Sequence, residues 1–178
     1  MPDDVLTGIR VVELGSEVSA PFCAKLFADY GADVIKVEPP GGDVTRRWGP
    51  FPDDIPAEEK SGLFFFLNTN KRGIILDPST TEGRERLLDL LSRSDVLIEN
   101  NPPEQMRAWG LDYSTLSARN PDLVMISITP FGQTGPYADW KGRDLNAFHL
   151  SGTGSRYCGR PGEPPLKHGT FSADFFGG

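Results

Sequence analysis

The sequence contains few of the residues that hold metal ions or build disulfide frameworks. Its two cysteines, Cys23 and Cys158, are far apart, and its two histidines, His149 and His168, have no partner at metal-ligand spacing. This pattern disfavours a zinc site, a redox pair and a disulfide-rich domain. The lack of a Gly-x-Ser-x-Gly motif disfavours a serine hydrolase as well. We expect two reduced thiols in a cytoplasmic protein that binds no metal.

Long apolar runs and an excess of positive charge are also missing. No apolar stretch approaches the roughly 20 residues of a membrane-spanning helix, and the acidic start, Met1 to Asp4, does not resemble a signal peptide. The 18 Lys and Arg residues and 25 Asp and Glu residues give a formal net charge of -7. This charge argues against non-specific binding to nucleic acid or to an anionic membrane. An anionic small ligand stays compatible with it, because local positive groups can outweigh the average field.

The sequence does contain an alternation of β-branched apolar runs and helical patterns, in 178 residues of which 38% are hydrophobic and 24% charged. Such an alternation predicts a doubly wound, mostly parallel α/β sheet of the Rossmann-like kind. The predicted strands are residues 9–14, 33–38, 73–77, 95–99 and 123–128. The predicted helices are residues 20–30, 80–94, 103–108 and 113–119; a further helix starts at Asp144, and another begins around Asp174.

Four segments outside the predicted strands are candidates for ligand binding, since ligands of such sheets lie beyond the carboxyl ends of the strands. Residues 15–21 form the first strand-to-helix turn, where backbone N–H groups can meet a phosphate or an adenine. Residues 39–61 form a long Pro/Gly/Asp-rich surface loop, which we call the excursion. Loops of this length often have a function. Residues 68–72 carry adjacent positive charges that suit a phosphate or, as we favour, either a solvated turn or ion pairs with neighbouring carboxylates. The glycine-rich residues 152–162 indicate a flexible loop near a site.

Asp174 is the carboxylate with the most distinctive neighbours. It lies among small and apolar residues, in the segment F-S-A-D-F-F of residues 171–176. Such a setting removes water from a carboxylate, which raises its pKa and its nucleophilicity. A helix N-cap is the alternative, because aspartate is favoured at that position. The residues alone leave both roles open.

The motifs, taken in order, resemble those of the class III CoA-transferase family, the group of formyl-CoA transferase, carnitine CoA-transferase and α-methylacyl-CoA racemase. They are L-T-G-I-R-V-V-E-L at 6–14, G-A-D-V-I-K-V-E-P-P-G-G-D at 31–43, N-K-R-G-I-I-L-D at 70–77, S-D-V-L-I-E-N at 94–100, N-P at 120–121, I-T-P-F-G-Q-T-G-P at 128–136 and S-A-D at 172–174. They cover about the first half of a typical member. We therefore expect residues 1–178 to be the N-terminal part of a CoA-binding α/β domain, without the second domain and the C-terminal part.

The resemblance implies an acyl-CoA:carboxylate CoA-transferase that works through a covalent aspartyl intermediate, with Asp174 as the aspartate. It also implies coenzyme A, bound as acyl-CoA, a carboxylic acid acceptor, an interlinked homodimer and no nucleic acid or membrane partner. The positions that carry over as CoA contacts are Val18, Ser19, Pro39, Leu76, Asp77, Pro78, Ser79, Asn100, Asn101, Pro102, Arg107, Lys141, Gly142, Arg143 and Asp144.

The chain departs from the family pattern at three positions: Pro39, Arg107 and Arg143. Pro39 stands where transferases often have a basic residue near the adenine, and Arg107 lies one position from a basic residue that is common in the family. Racemases of 2-methylacyl-CoA often have a histidine where this chain has Arg143, and an arginine is a poor general base but suits a carboxylate. We therefore favour the transferase, with the racemase and an inactive CoA-binding fragment as alternatives.

Overall fold

A five-stranded parallel sheet forms the centre of the computed structural model, which describes residues 4–157, 160 and 162–178. Its strands are β1 (Arg10–Leu14), β2 (Asp33–Glu38), β3 (Arg72–Ile75), β4 (Val96–Glu99) and β5 (Val124–Ser127). The order across the sheet is β3-β2-β1-β4-β5, and each neighbouring pair is parallel. The predicted parallel α/β fold is confirmed, and each predicted strand is present with its ends displaced by at most two residues.

Helices lie between the strands and also follow the last strand. They are α1 (Ser19–Asp29), α2 (Gly62–Asn68), α3 (Thr81–Leu91), α4 (Pro103–Trp109), α5 (Tyr113–Arg119), α6 (Asp144–Leu150), α7 (Thr153–Tyr157) and α8 (Ser172–Gly177). Local chemistry sets several of their ends. The Thr80 hydroxyl accepts the backbone N–H of Gly83 at 3.0 Å and so caps α3. Gly110 ends α4 with a φ of 66°, a left-handed conformation that glycine adopts readily.

Each face of the sheet is covered by its own apolar cluster. Successive strand residues point to opposite faces. Val12 and Leu97 therefore pack with the leucines of α3, whereas Val11 and Ile98 pack with the alanines of α1. All four strand residues are buried. Helices on both faces of a parallel sheet are the doubly wound arrangement that the sequence predicts.

Two short helices were not predicted. The helix α2 forms where the sequence suggested only an apolar run, and the Ser61 hydroxyl caps it by accepting the N–H of Phe64 at 3.1 Å. The helix α7 replaces part of the predicted flexible loop, because Gly152 turns the chain with a φ of 79° and Gly154 packs closely on the ring of His149. Of the predicted glycine-rich loop, Cys158, Gly159 and Pro161 lie outside the described residues.

The helices that these described residues form are too short or too polar to cross a lipid bilayer.

Candidate active site

The exits of β1 and β4 are joined by two asparagines. The Asn100 amide accepts the backbone N–H of Ser16 at 3.0 Å and donates to the carbonyl oxygen of the same residue at 2.7 Å. Gly15 permits this approach, because a Cβ atom there would lie 2.9 Å from Asn100 Oδ1. The Asn101 amide donates to the carbonyl oxygen of Leu14 at 2.7 Å. The two predicted CoA contacts therefore also hold the first strand-to-helix turn in place.

The predicted CoA contacts that directly follow β1 to β4 lie along one edge of the sheet, because parallel strands present their carboxyl ends on one side. Val18 and Ser19 are buried at the start of α1, and Pro39 is exposed directly after β2. Residues 76–79 follow β3, and residues 100–102 follow β4. The fold thus brings four separate segments of the sequence to one edge, as the CoA prediction requires.

Some predicted contacts are engaged with other residues of the chain. Arg107 forms an exposed ion pair with Asp139 at 3.0 Å. Asp77 accepts hydrogen bonds from the backbone and the hydroxyl of Ser79, which lower the pKa of that carboxyl. Lys141 is exposed in the segment before α6. A phosphate or adenine contact by these side chains stays a prediction.

Asp174 lies in the first turn of α8, whose N-cap residue by backbone geometry is Phe171. The backbone N–H groups of Ala173 and Asp174 donate to Asp144 Oδ1, at 2.7 and 3.1 Å. A carboxylate from α6 therefore caps the helix. The alternative role of Asp174 as the N-cap is wrong, because Asp174 is already inside the helix and its own N–H needs the cap.

A cavity of about 290 Å³ opens beside Asp174. Its wall comes from the first strand-to-helix turn, the excursion after β2, the start of α6 and the segment before α8. These segments contribute Glu17, Trp48, Arg143, Asp144, Leu145, Lys167, Gly169, Thr170, Phe171 and Asp174. Of the predicted site residues, Arg143, Asp144 and Asp174 are brought together here.

The pKa of the half-buried Asp174 carboxyl is raised to about 6, and burial is the largest cause. The carboxylates of Asp144 and Glu17 contribute to this rise, whereas Lys167 and Arg143 act against it. An aspartate with such a pKa is mostly ionised near neutral pH, yet it is more basic than an exposed aspartate. It is therefore a better nucleophile than an ordinary carboxylate.

Two ion pairs flank this carboxyl. Lys167 Nζ lies 2.6 Å from Asp144 Oδ2, and the Arg143 guanidinium pairs with Glu17. The Arg143 side chain is 73% exposed, so much of its planar guanidinium faces solvent. A guanidinium in that state can bind a carboxylate through two parallel hydrogen bonds.

The charged and aromatic cavity residues Glu17, Trp48 and Lys167 are among those that the sequence did not single out. Trp48 belongs to the excursion predicted to be functional, and its indole stacks on the Phe171 ring with centroids 5.3 Å apart. The Ser61 hydroxyl donates to the Trp48 carbonyl oxygen at 2.6 Å and so ties the excursion down. The length of the excursion was a usable signal, whereas nothing in the sequence around Lys167 marked it.

A second charged cluster lies nearby, at the buried ends of β1 and β2. Lys36 Nζ lies 2.7 Å from Glu13 Oε1 and 2.8 Å from Asp43 Oδ2, and Lys71 Nζ lies 2.7 Å from Glu13 Oε2. Burial lowers the pKa of Lys71 to about 8, although Glu13 acts in the opposite direction. Burial also acts to lower the pKa of Lys36, but Glu13 and Asp43 outweigh it and leave that pKa raised.

This cluster shows what the positive charges of residues 68–72 contact. Lys71 is paired inside the protein, and Arg72 forms an exposed ion pair with Asp33 at 2.6 Å. The ion-pair alternative is therefore confirmed for both residues. The expectation of a solvated turn is wrong for Lys71, because its side chain is only 2% exposed.

The histidines and the cysteine that the structure describes have packing roles. The rings of His149 and His168 lie 5.4 and 5.3 Å from the ring of Phe148. Cys23 is a buried free thiol whose pKa is raised by that burial. Residues 4–157, 160 and 162–178 contain no group of three or more His, Cys, Asp or Glu residues placed to hold a metal ion.

Known proteins resemble this chain over nearly its whole length. A succinate–glutarate CoA-transferase of Agrobacterium fabrum is 44% identical over 176 residues, which are 97% of this chain and 44% of that protein. A succinyl-CoA–D-citramalate CoA-transferase of Chloroflexus aurantiacus is 38% identical over 174 residues, 97% of this chain and 42% of that protein. The chain thus spans less than half the length of these relatives.

A solved structure and a family profile agree with the sequence relatives. The crystal structure of a CAIB/BAIF family protein from Brucella suis superposes with a TM-score of 0.88 at 40% identity, covering 98% of this chain and 46% of that one. The sequence profile of CoA-transferase family III matches residues 6–178. With the parallel sheet and the Asp174 cavity already described, the chain belongs to CoA-transferase family III.

Proposed function

We propose that the protein carrying this chain is an acyl-CoA:carboxylate CoA-transferase in which Asp174 is the nucleophile. The observation that carries the proposal is a half-buried carboxyl, with its pKa raised to about 6, in a cavity that also presents Arg143 and Lys167. A nucleophile for acyl transfer has to be ionised and incompletely solvated. Burial limits the solvation of Asp174, and a pKa of about 6 still leaves its carboxyl mostly ionised near neutral pH.

The reaction follows from the chemistry of a carboxylate and a thioester. The ionised Asp174 attacks the thioester carbonyl, which releases CoA thiolate and leaves a mixed anhydride. The thiolate attacks the aspartyl carbonyl of that anhydride, which releases the first acid as a carboxylate and leaves an aspartyl-CoA thioester. The acceptor carboxylate then attacks the carbonyl of this thioester, which releases CoA thiolate again and leaves a second mixed anhydride. The thiolate attacks the acceptor's carbonyl in that anhydride, which gives the new acyl-CoA and releases Asp174 as a carboxylate. Each step exchanges one acyl bond for another, so the thioester free energy is conserved.

The relatives suggest a class of acyl groups. They are named for succinyl, glutaryl and citramalyl substrates, all of which carry a second carboxylate. We infer that this protein takes dicarboxylic acids or their CoA thioesters. The exposed guanidinium of Arg143 is suited to the second carboxylate, since its fork matches carboxylate geometry.

Arg143 also favours the transferase over the racemase. A racemase needs two groups that exchange the α-proton, and a side chain that stays protonated cannot accept it. The cations of the cavity wall are Arg143 and Lys167, and each is paired with a carboxylate of the same wall. The Arg143 guanidinium is exposed enough to pair with an anionic substrate as well.

CoA is proposed to lie along the carboxyl ends of β1 to β4. Its contacts are proposed to be the segments at Val18, Pro39, residues 76–79 and residues 100–102, with Arg107 toward a phosphate. Residues 1–178 then correspond to the N-terminal part of the CoA-binding domain. We also infer a cytoplasmic homodimer, on the strength of the family resemblance.

The covalent intermediate is the direct test. The protein at its natural full length is incubated with succinyl-CoA, quenched, treated with hydroxylamine and digested for peptide mass spectrometry. We expect a hydroxamate at Asp174 that is absent in Asp174→Ala and present in the matched control Asp122→Ala, an exposed aspartate outside the cavity. Racemisation of a 2-methylacyl-CoA without any adduct would overturn the proposal.

A further inference from the structure

Asp144 makes more contacts to the nucleophile's helix than its predicted role requires. It was predicted as a CoA contact, yet its Oδ1 accepts the N–H groups of Ala173 and Asp174 at 2.7 and 3.1 Å. Its Oδ2 lies 2.6 Å from Lys167 Nζ. The Asp144 side chain is only 9% exposed. Both of its carboxylate oxygens are therefore committed to residues of this chain.

These hydrogen bonds affect where the Asp174 carboxylate lies, because they attach to the first turn of its helix. Asp144 belongs to α6 and is 30 residues away in sequence, so it fixes α8 from a separate element. One of the two donors is the backbone N–H of Asp174 itself. A shift of α8 relative to α6 therefore moves the attacking carboxylate, and acyl transfer is steeply sensitive to the placement of the reacting atoms.

We propose that Asp144 is a positioning residue for Asp174, which orients the nucleophile's helix through Oδ1 and places a fixed negative charge, itself anchored by Lys167, beside the reacting carboxyl. The inference rests on the proposed function of Asp174 as the nucleophile. It assigns Asp144 to the transfer step and not to CoA binding.

Four charged groups act on the Asp174 carboxyl. Asp144 and Arg143 come from the start of α6, Glu17 from the first strand-to-helix turn, and Lys167 from the segment before α8. After burial itself, the largest contribution that raises the pKa of Asp174 comes from Asp144, and Lys167 acts in the opposite direction. Removal of Asp144's charge and removal of Lys167's charge should therefore shift the titration of Asp174 in opposite directions.

Two substitutions at Asp144 separate its two tasks. Asp144→Ala removes the acceptor and the charge, and we expect kcat to fall by about a hundredfold with little change in the KM for acyl-CoA. Asp144→Asn keeps an oxygen that accepts the two N–H groups but loses the charge. We expect it to recover most of the lost kcat, with the acid limb of its pH–rate profile moved to lower pH because the pKa of Asp174 falls.

Lys167→Met is the matched substitution on the other side of the ion pair. It leaves Asp144 Oδ1 and both helix N–H groups in place, and it removes the charge that lowers the pKa of Asp174. We expect its acid limb to move to higher pH. A merely structural role for Asp144 and Lys167 would lower kcat in both variants without moving the two limbs apart.

A titration without turnover keeps the inference separate from the proposed function. The ¹³C resonance of the Asp174 carboxyl, assigned by its loss in Asp174→Ala, reports the pKa of that group directly. We expect the pKa of Asp174 to fall in Asp144→Asn and to rise in Lys167→Met. This test does not depend on whether Asp144→Ala folds. Unchanged titration in both variants, or an Asn variant no faster than the Ala variant, would overturn the inference. Absence of transfer in the wild-type protein would instead overturn the proposed function.

Discussion

Two charged clusters lie near the same edge of the sheet, and they differ in how their charges are balanced. The cluster at the ends of β1 and β2 contains two carboxylates and two lysines: Glu13, Asp43, Lys36 and Lys71. All of its close pairs are between opposite charges, and Glu13 is fully buried. We call it the paired cluster. In this cluster each ammonium and each carboxylate group is paired with a group of opposite charge.

The cluster around Asp174 has three carboxylates and two cations: Glu17, Asp144 and Asp174 with Arg143 and Lys167. The two cations are already paired with Glu17 and Asp144. The remaining carboxylate is Asp174, whose pKa burial and its two carboxylate neighbours raise to about 6. We call it the unbalanced cluster. The paired cluster gives each of its buried charges an opposite partner, whereas the unbalanced cluster leaves one carboxyl with a raised pKa.

Removal of a cation from the paired cluster is the strongest test of the difference between the two clusters. Lys36→Met leaves Glu13 and Asp43 in the interior without their shared cation, and an unpartnered buried charge is costly. We expect the free energy of unfolding to fall by about 3–5 kcal/mol. Urea unfolding of the full-length protein measures it, with Lys60→Met, at an exposed lysine, as the control. A loss no larger than that of the control would mean that the paired cluster adds nothing to stability.

Removal of a negative charge from the unbalanced cluster should stabilise the protein. Asp174→Asn removes a carboxylate that the fold prefers to keep protonated, since its pKa is raised from 3.8 to about 6. A group with a raised carboxyl pKa costs stability above that pKa and none below its unfolded value. Because the side chain is about half exposed, we expect a gain of only about 1 kcal/mol near pH 8. Transfer activity should be lost in the same variant.

The pH dependence makes this second prediction specific. The gain of Asp174→Asn should shrink as the pH falls through about 6 and vanish only below about pH 3, where the wild-type carboxyl is protonated in both the folded and the unfolded state. Urea unfolding at several pH values checks it, and Asp122→Asn, at an exposed position, serves as the control. An equal gain at both ends of the range would mean that charge is not its cause.

The smallest effect belongs to charge pairs that neither cluster contains. Arg86 and Glu82 lie 2.7 Å apart on the surface of α3, and both side chains are more than half exposed. We expect Arg86→Ala to change the free energy of unfolding by no more than about 0.5 kcal/mol. Thermal unfolding of the variant sets the baseline for the larger effects. A loss comparable to that of Lys36→Met would show that burial does not explain the difference between surface and interior pairs.

The fold was largely predictable, because strands and helices leave a local periodicity in the sequence. The run that forms β2 was predicted with its observed bounds, and so was α5. The helix α7 was missed, since glycine-rich residues have no periodic signal and the packing of Gly154 on His149 is a tertiary contact. The small α2 was missed because a run of phenylalanines shows no polar face.

The candidate site was predictable only in part. Asp174 stood out because of its apolar neighbours, and Arg143 and Asp144 because of the family resemblance. Trp48 and Lys167 were not predicted, and Asp144 was assigned to CoA although its oxygens bind Ala173, Asp174 and Lys167. These contacts join segments that are distant in sequence, and no local pattern encodes which side chain reaches which helix.

The sequence by itself determined the parallel α/β sheet and the presence of a carboxylate in an apolar segment, and it indicated the edge of the sheet at which a ligand is expected. These depend on short-range patterns of polarity and on the rule that parallel strands end on one side. Only the tertiary structure decided that Lys71 is buried against Glu13 and that Asp144 caps the helix of Asp174. The reason is physical: desolvation and charge pairing depend on which groups the packed chain brings within a few ångströms of one another.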